Sequence, residues 1–127
     1  YENRTAAVRI PGGPFLQRRI EHRVAGADTN AYLVMAAILG AVLAGIENKM
    51  QPPEAIKGSA YDGDNAQLSA LPLSWQGSLD AFVGGKILGD SIPPILRDMV
   101  IRTKRQEMAR FNEVVTPFEF QSYLDQV

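Results

Sequence analysis

Cysteine is missing from all 127 residues, and histidine and tryptophan each occur once. No disulfide, thiol nucleophile or cysteine-ligated zinc site can be built, and the lack of thiols fits a cytoplasmic protein. A surplus of charge is also missing: 13 Lys and Arg stand against 14 Asp and Glu, for a formal net charge of −1. Such a balance offers nucleic acid or a membrane surface no bulk attraction. The most apolar stretch, AYLVMAAILGAVLAGI at residues 31–46, falls short of the about 20 residues a bilayer span needs. It predicts a buried core helix instead, with small residues at Ala36, Gly40 and Ala44, and at Ala37, Ala41 and Gly45, giving close-approach faces.

Charge is instead concentrated in one place. RRIEHR, residues 18–23, sets three arginines and a glutamate immediately ahead of that apolar stretch. Residues 4–10 (RTAAVRI) and 18–24 (RRIEHRV) read as two strands, and PGGPFLQ between them supplies turn residues, so an antiparallel pair is expected. Alternation puts Arg19, Glu21 and Arg23 on one strand face and Ile20, His22 and Val24 on the other. One reading of that row is a self-satisfied set of ion pairs. The other is a polyanion and metal site, because arginine forks hold phosphate or carboxylate oxygens and a lone carboxylate is a hard ligand for Mg²⁺ or Mn²⁺. In the first strand, Thr5, Ala7 and Arg9 share a face whose small residues leave room for a ligand. His22, the single histidine, is expected to be a packed or hydrogen-bonded structural residue.

The remainder reads as helical. Asp28, Thr29 and Asn30 offer caps for a helix running to about Asn48, which QPP at 51–53 should stop. Residues 54–73 are loop-like, followed by helices over 74–86, with Ser78 as a possible cap, over 94–113 and over 117–125. Thr116, Pro117 and Glu119 form a helix start with a cap, a first-turn proline and a favourably placed acid. The fold class is therefore α+β, a strand pair followed by several helices. A two-stranded sheet is marginal alone, and the opening YENRT without an initiator methionine adds to the expectation of a segment from a longer protein.

Three other patterns carry less. Asp62-Gly63-Asp64-Asn65 lacks the glycine and terminal acid of a calcium loop. GADTN and PGGP lack the spacing of a Walker-type nucleotide loop. The basic residues of RTKRQEMAR at 102–110 scatter around a helix and are interrupted by Glu107, which predicts an ion-paired surface rather than nucleic-acid recognition.

NRTAAVRIP at 3–11, RRIEHRVAGADTNAYLVMAAILGAVLAGIENK at 18–49, LPLSWQGSLDAF at 71–82 and the closing KRQEMARFNEVVTPFEFQSYL closely resemble the C-terminal catalytic domain of the glutamine synthetase family. The resemblance covers nearly all of residues 1–127, in the family's order and spacing. It implies an ATP-dependent ligase of nitrogen metabolism that phosphorylates the side-chain carboxylate of L-glutamate and displaces phosphate with ammonia or an amine. It also implies a homo-oligomer, with remaining metal ligands and acids upstream and the site completed by a neighbouring subunit, so that the isolated segment is expected to be inactive. By the same resemblance, Glu21 matches a ligand for Mg²⁺ or Mn²⁺ at the nucleotide phosphates. Arg4 and Arg23 match arginines that hold glutamate and the transferring phosphoryl group, and Arg9 and Arg19 match nucleotide-phosphate arginines.

The departures are local. Thr5 replaces a serine and keeps its hydroxyl; Ala31 replaces a proline; PGGPFLQ lacks a nucleotide-contacting lysine; Gly84 and Gly85 loosen a helix. The spelling IEHRVAGADTN resembles the γ-glutamylpolyamine and γ-glutamylamide branch more than the ammonia-assimilating one. Tyr61 falls near a tyrosine that is adenylylated in some bacterial members, but only Tyr61-Asp62 matches, and no modification is predicted. The alternatives are a non-catalytic scaffold or regulatory binding protein of the same family, and an unrelated helical interaction module.

Overall fold

A computed structural model describes residues 3–62 and 68–124. The turn expected at Gly63, Asp64 and Asn65 and the helix end expected at Asp125 lie outside the described residues. The architecture is α+β, an antiparallel strand pair followed by five helices among the described residues, and it divides into two compact units, residues 1–70 and 71–127.

In the first unit, β1 (Val8–Arg9) pairs with β2 (Glu21–His22) in a register that sets Val8 opposite His22 and Arg9 opposite Glu21. The Arg23 N–H donates to the Ala7 carbonyl at 2.9 Å and extends the pairing by one bond. The strands are thus shorter than residues 4–10 and 18–24. A ribbon with no third strand among the described residues has nothing to straighten its ends, so only the centre meets ladder geometry. The connection contains a single 3₁₀ turn, Phe15–Gln17, after Gly13 at φ 141°, where glycine is required. His22 is exposed rather than packed, because its side of the ribbon has no cover.

Helix α1 (Ala31–Glu47) starts where Asn30 accepts from the N–H groups of Tyr32 and Leu33, at 3.0 and 3.2 Å. It ends before QPP. Lys49 takes a left-handed φ of 49°, its N–H donates to Ile46 and the Met50 N–H donates to Gly45, which closes the last turn in the manner usually assigned to glycine. The expectation of burial fails within this chain: Tyr32 is 89% exposed, Leu43 59% and Ile46 69%, and Gly40 alone in the helix is buried. Apolar composition shows that a helix needs cover, but the cover must come from other elements, and two short strands and loops provide little.

In the second unit, α2 (Trp75–Gly84) is capped by Ser74, whose hydroxyl accepts from the Gly77 N–H at 3.0 Å. Ser78 is not the cap; its hydroxyl donates back to the Ser74 carbonyl. The single helix expected over 74–86 divides at Gly85, which leaves helical geometry and opens α3 (Lys86–Ser91). Helix α4 (Pro94–Asn112) packs on α2, with the Trp75 ring edge-on to Phe111 at 6.4 Å. The Arg97 guanidinium donates to the carbonyls of Phe82 and Val83 at the α2 C-terminus, where a cation complements the dipole. Leu79 and Ile92 are the buried large apolar residues.

On α4, Asp98 pairs with Arg102 and Glu107 with Lys104, each at 2.7 Å, as expected of an ion-paired helix surface. Helix α5 (Pro117–Tyr123) opens on a complete capping box: the Thr116 hydroxyl accepts from the Glu119 N–H, and the Glu119 carboxylate accepts from the Thr116 N–H. Those bonds hold the Glu119 pKa below its ordinary value against the opposing effect of burial. No helix among the described residues is long and apolar enough to cross a membrane.

With two large apolar residues buried and most of α1 uncovered, residues 1–127 produced alone should self-associate as concentration rises. Sedimentation across a concentration series tests this, and a monomer with a sharp, concentration-independent thermal transition would contradict it.

Candidate functional site

The antiparallel register decides which charged side chains meet. Directly opposed residues share a sheet face, so pairing Arg9 with Glu21 brings a guanidinium onto a carboxylate across the ribbon. Two Arg9 nitrogens, Nε and Nη2, each lie 2.7 Å from Glu21 Oε2. Arg19, two residues before Glu21 and outside β2, donates from Nη2 to Glu21 Oε1 at 3.0 Å. The Arg9 and Glu21 side chains are 12% and 24% exposed, whereas Arg19 is 61% exposed. A largely sheltered carboxylate therefore sits between two cations, one fixed and one at the surface.

Partial burial pushes the Glu21 pKa up. The hydrogen bonds and positive charge of Arg9, and then those of Arg19, outweigh it and leave the carboxyl below its ordinary value. The cluster is therefore fully charged at neutral pH, and its ion pairing is lost as pH falls through that depressed pKa.

Two features leave the cluster open to a further ligand. Arg9 Nη1 is buried and has no hydrogen-bond partner among the described residues, although buried donors are almost always paired. An anion oxygen would satisfy it. Glu21 has about four acceptor directions: Oε2 accepts from Arg9 Nε with Arg9 Nη2 in ion-pair contact, and Oε1 accepts from Arg19, so Oε1 has one left for a cation. Among the described residues no group of three His, Cys, Asp or Glu side chains is placed to hold a metal ion. Glu21 thus fits one ligand position of a hard cation that takes about six oxygens.

Arg9, Arg19 and Glu21 are brought together. The Arg4 and Arg23 side chains are exposed, and neither makes a hydrogen bond or ion pair with the cluster among the described residues. Arg23 joins the ribbon through its backbone alone. Periodicity along the strand expected over 18–24 sets Arg19 and Arg23 around Glu21, whereas the second guanidinium on Glu21 comes from Arg9 of β1, through the register.

A contact unforeseen from the sequence anchors the segment before β1. Asn3 Nδ2 donates to the carbonyls of Ile56 and Gly58, at 3.3 and 2.9 Å, and the Thr5 hydroxyl accepts from the Ala60 N–H at 2.8 Å. These partners lie more than 50 positions away, beyond the reach of any local pattern; the left-handed Gly58, at φ 80°, is the only local sign of a special backbone there.

The family model described as glutamine synthetase, catalytic domain, matches residues 1–123. The γ-glutamylputrescine synthetase of Escherichia coli is 31% identical over 121 residues, covering 95% of this chain and 25% of its own length. A glutamate–isopropylamine ligase from a Pseudomonas species is 33% identical over 125 residues, covering 98% of this chain and 27% of its own. The glutamine synthetase of Streptomyces coelicolor is 35% identical over 132 residues, covering 97% and 28%. The chain therefore spans about a quarter of the length of the curated relatives it matches.

The Glu21 carboxyl carbon, followed by NMR, should titrate below the ordinary glutamate range, and Arg9→Gln should move it upward. A midpoint at or above that range in the unmodified protein would contradict the cluster described.

Proposed function

Since the chain belongs to the glutamine synthetase family, catalytic domain, we propose that the complete protein is an ATP-dependent ligase. It joins the side-chain carboxylate of L-glutamate to ammonia or an amine through γ-glutamyl phosphate, with Mg²⁺ or Mn²⁺ and as a cytoplasmic homo-oligomer. Residues 1–127 supply the C-terminal part of its catalytic domain. The observation that carries this reading is the Arg9–Glu21–Arg19 cluster, which combines fixed positive charge, an unpaired buried guanidinium N–H and one open carboxylate direction.

Phosphoryl transfer asks a protein mainly for positioning and for positive charge around the phosphoryl oxygens. The exposed Arg19 fork meets the nucleotide phosphates with the positive charge of Arg9 behind it, and Glu21 offers Oε1 to the divalent ion. A bound ion neutralises phosphate charge; the arginines orient the same oxygens. Arg4 and Arg23, whose guanidiniums are not engaged with Glu21, hold the glutamate carboxylate and the phosphoryl group as it moves. Names of relatives support an amine as well as ammonia as the second substrate, since they include ligases of putrescine and isopropylamine beside glutamine synthetases.

An acyl phosphate survives only where water is excluded. The Glu21 cluster is open to solvent through Arg19, so residues 1–127 alone should show no turnover.

Glu21→Ala in the full-length protein should lower turnover about a hundredfold or more and weaken metal–ATP binding, because charge stabilisation at the transferring group is lost. Turnover at the unmodified rate would remove the assignment.

A further inference from the structure

The clasp between residues 3–5 and 56–60 is absorbed by neither the strand pair nor the charged cluster. Asn3 is saturated: its amide donates to Ile56 and Gly58, and its Oδ1 accepts from the Thr5 N–H at 3.0 Å and the Thr5 hydroxyl at 2.5 Å. The same hydroxyl accepts from the Ala60 N–H. Both residues flanking Arg4 are therefore pinned to a distant loop, while Arg4 itself is exposed and its side chain has no hydrogen bond or ion pair among the described residues. An arginine held in this way keeps its guanidinium for a ligand and receives its backbone position from its neighbours. Gly58 bends the loop at a φ of 80°, a conformation that side chains rarely adopt, and one of the two accepting carbonyls is its own.

We infer that Asn3 and Thr5 are positioning residues for Arg4, and that the 56–60 segment, acting through their side chains, sets where Arg4 meets the acidic substrate. This rests on the ligase reading above for the identity of that substrate, L-glutamate. The Thr5 hydroxyl is the central link, since it is the one group that bonds both Asn3 and the loop. Displacement of residues 56–60 moves Arg4 without touching the Arg9–Glu21–Arg19 cluster, so glutamate affinity changes while nucleotide affinity does not.

The test uses Thr5→Val, which removes the hydroxyl at nearly constant shape, and Thr5→Ser, which keeps it, both in the full-length protein. Amide exchange at Ala60 and steady-state kinetics are read on each. Losing a hydrogen bond at this level should speed Ala60 exchange about tenfold in Thr5→Val and raise KM for L-glutamate about tenfold, with KM for ATP unchanged. Thr5→Ser should restore both. Equal shifts in the two KM values, or a glutamate KM that does not follow Ala60 exchange, would make the clasp merely structural and overturn the inference with the ligase reading intact. If the unmodified protein shows no turnover, the ligase reading fails instead. The clasp is then judged by L-glutamate binding in calorimetry, where equal affinity in Thr5→Val and the unmodified protein would overturn it.

Discussion

The pairing of Arg9 with Glu21 across the strand ribbon is the constraint on which the site depends. The two side chains are 12% and 24% exposed, so each charge gains by having the other beside it. The register sets their distance, and the hydrogen bonds and charge of Arg9 outweigh partial burial to leave the Glu21 pKa below its ordinary value. Slipping the register by one residue would turn the Glu21 side chain to the opposite face and dissolve the cluster. The short ladder therefore has a role out of proportion to its length. Its charged centre is also its only regular part.

How the charge is divided explains why the four arginines need not act alike. Arg9 is committed to Glu21 through one edge and keeps a buried N–H, Arg19 completes the carboxylate from the surface, and Arg4 and Arg23 have guanidiniums outside the ion-pair network. Fixed and free cations lie on neighbouring stretches of chain.

Much of this was legible beforehand, for physical reasons that differ from element to element. The Asn30 and Thr116 caps depend on residues three or fewer positions apart and both form as expected, and Glu119 adds the reciprocal bond to the Thr116 N–H. The strand pair could be anticipated from alternation and turn residues, yet its length could not, because ladder length depends on partners beyond the ribbon. Gly84-Gly85 foreshadowed a loose helix, and the break falls at Gly85. Alternation along one strand shows which of its own residues share a face with Glu21, but the guanidinium that joins Arg19 there comes from Arg9, which only the register of the neighbouring strand brings in. The Asn3–Thr5 clasp left no pattern, since its partners are set by chain closure over more than 50 residues. Helix α1 shows the same divide: its existence is local, whereas its burial is not.

Incompleteness is shared by the packing and the chemistry. One face of α1 has apolar side chains without cover, and the described residues bring together no group of three His, Cys, Asp or Glu side chains able to hold a metal ion, in a chain spanning about a quarter of its relatives' length. The most direct measurement is phosphate release by the full-length protein with ATP, Mg²⁺ and L-glutamate, across ammonia and a panel of mono- and polyamines. The account predicts release that requires glutamate and rises with ammonia or a particular amine. A folded oligomer that releases phosphate with none of them would contradict it and identify a scaffold that retains the arginines without the reaction.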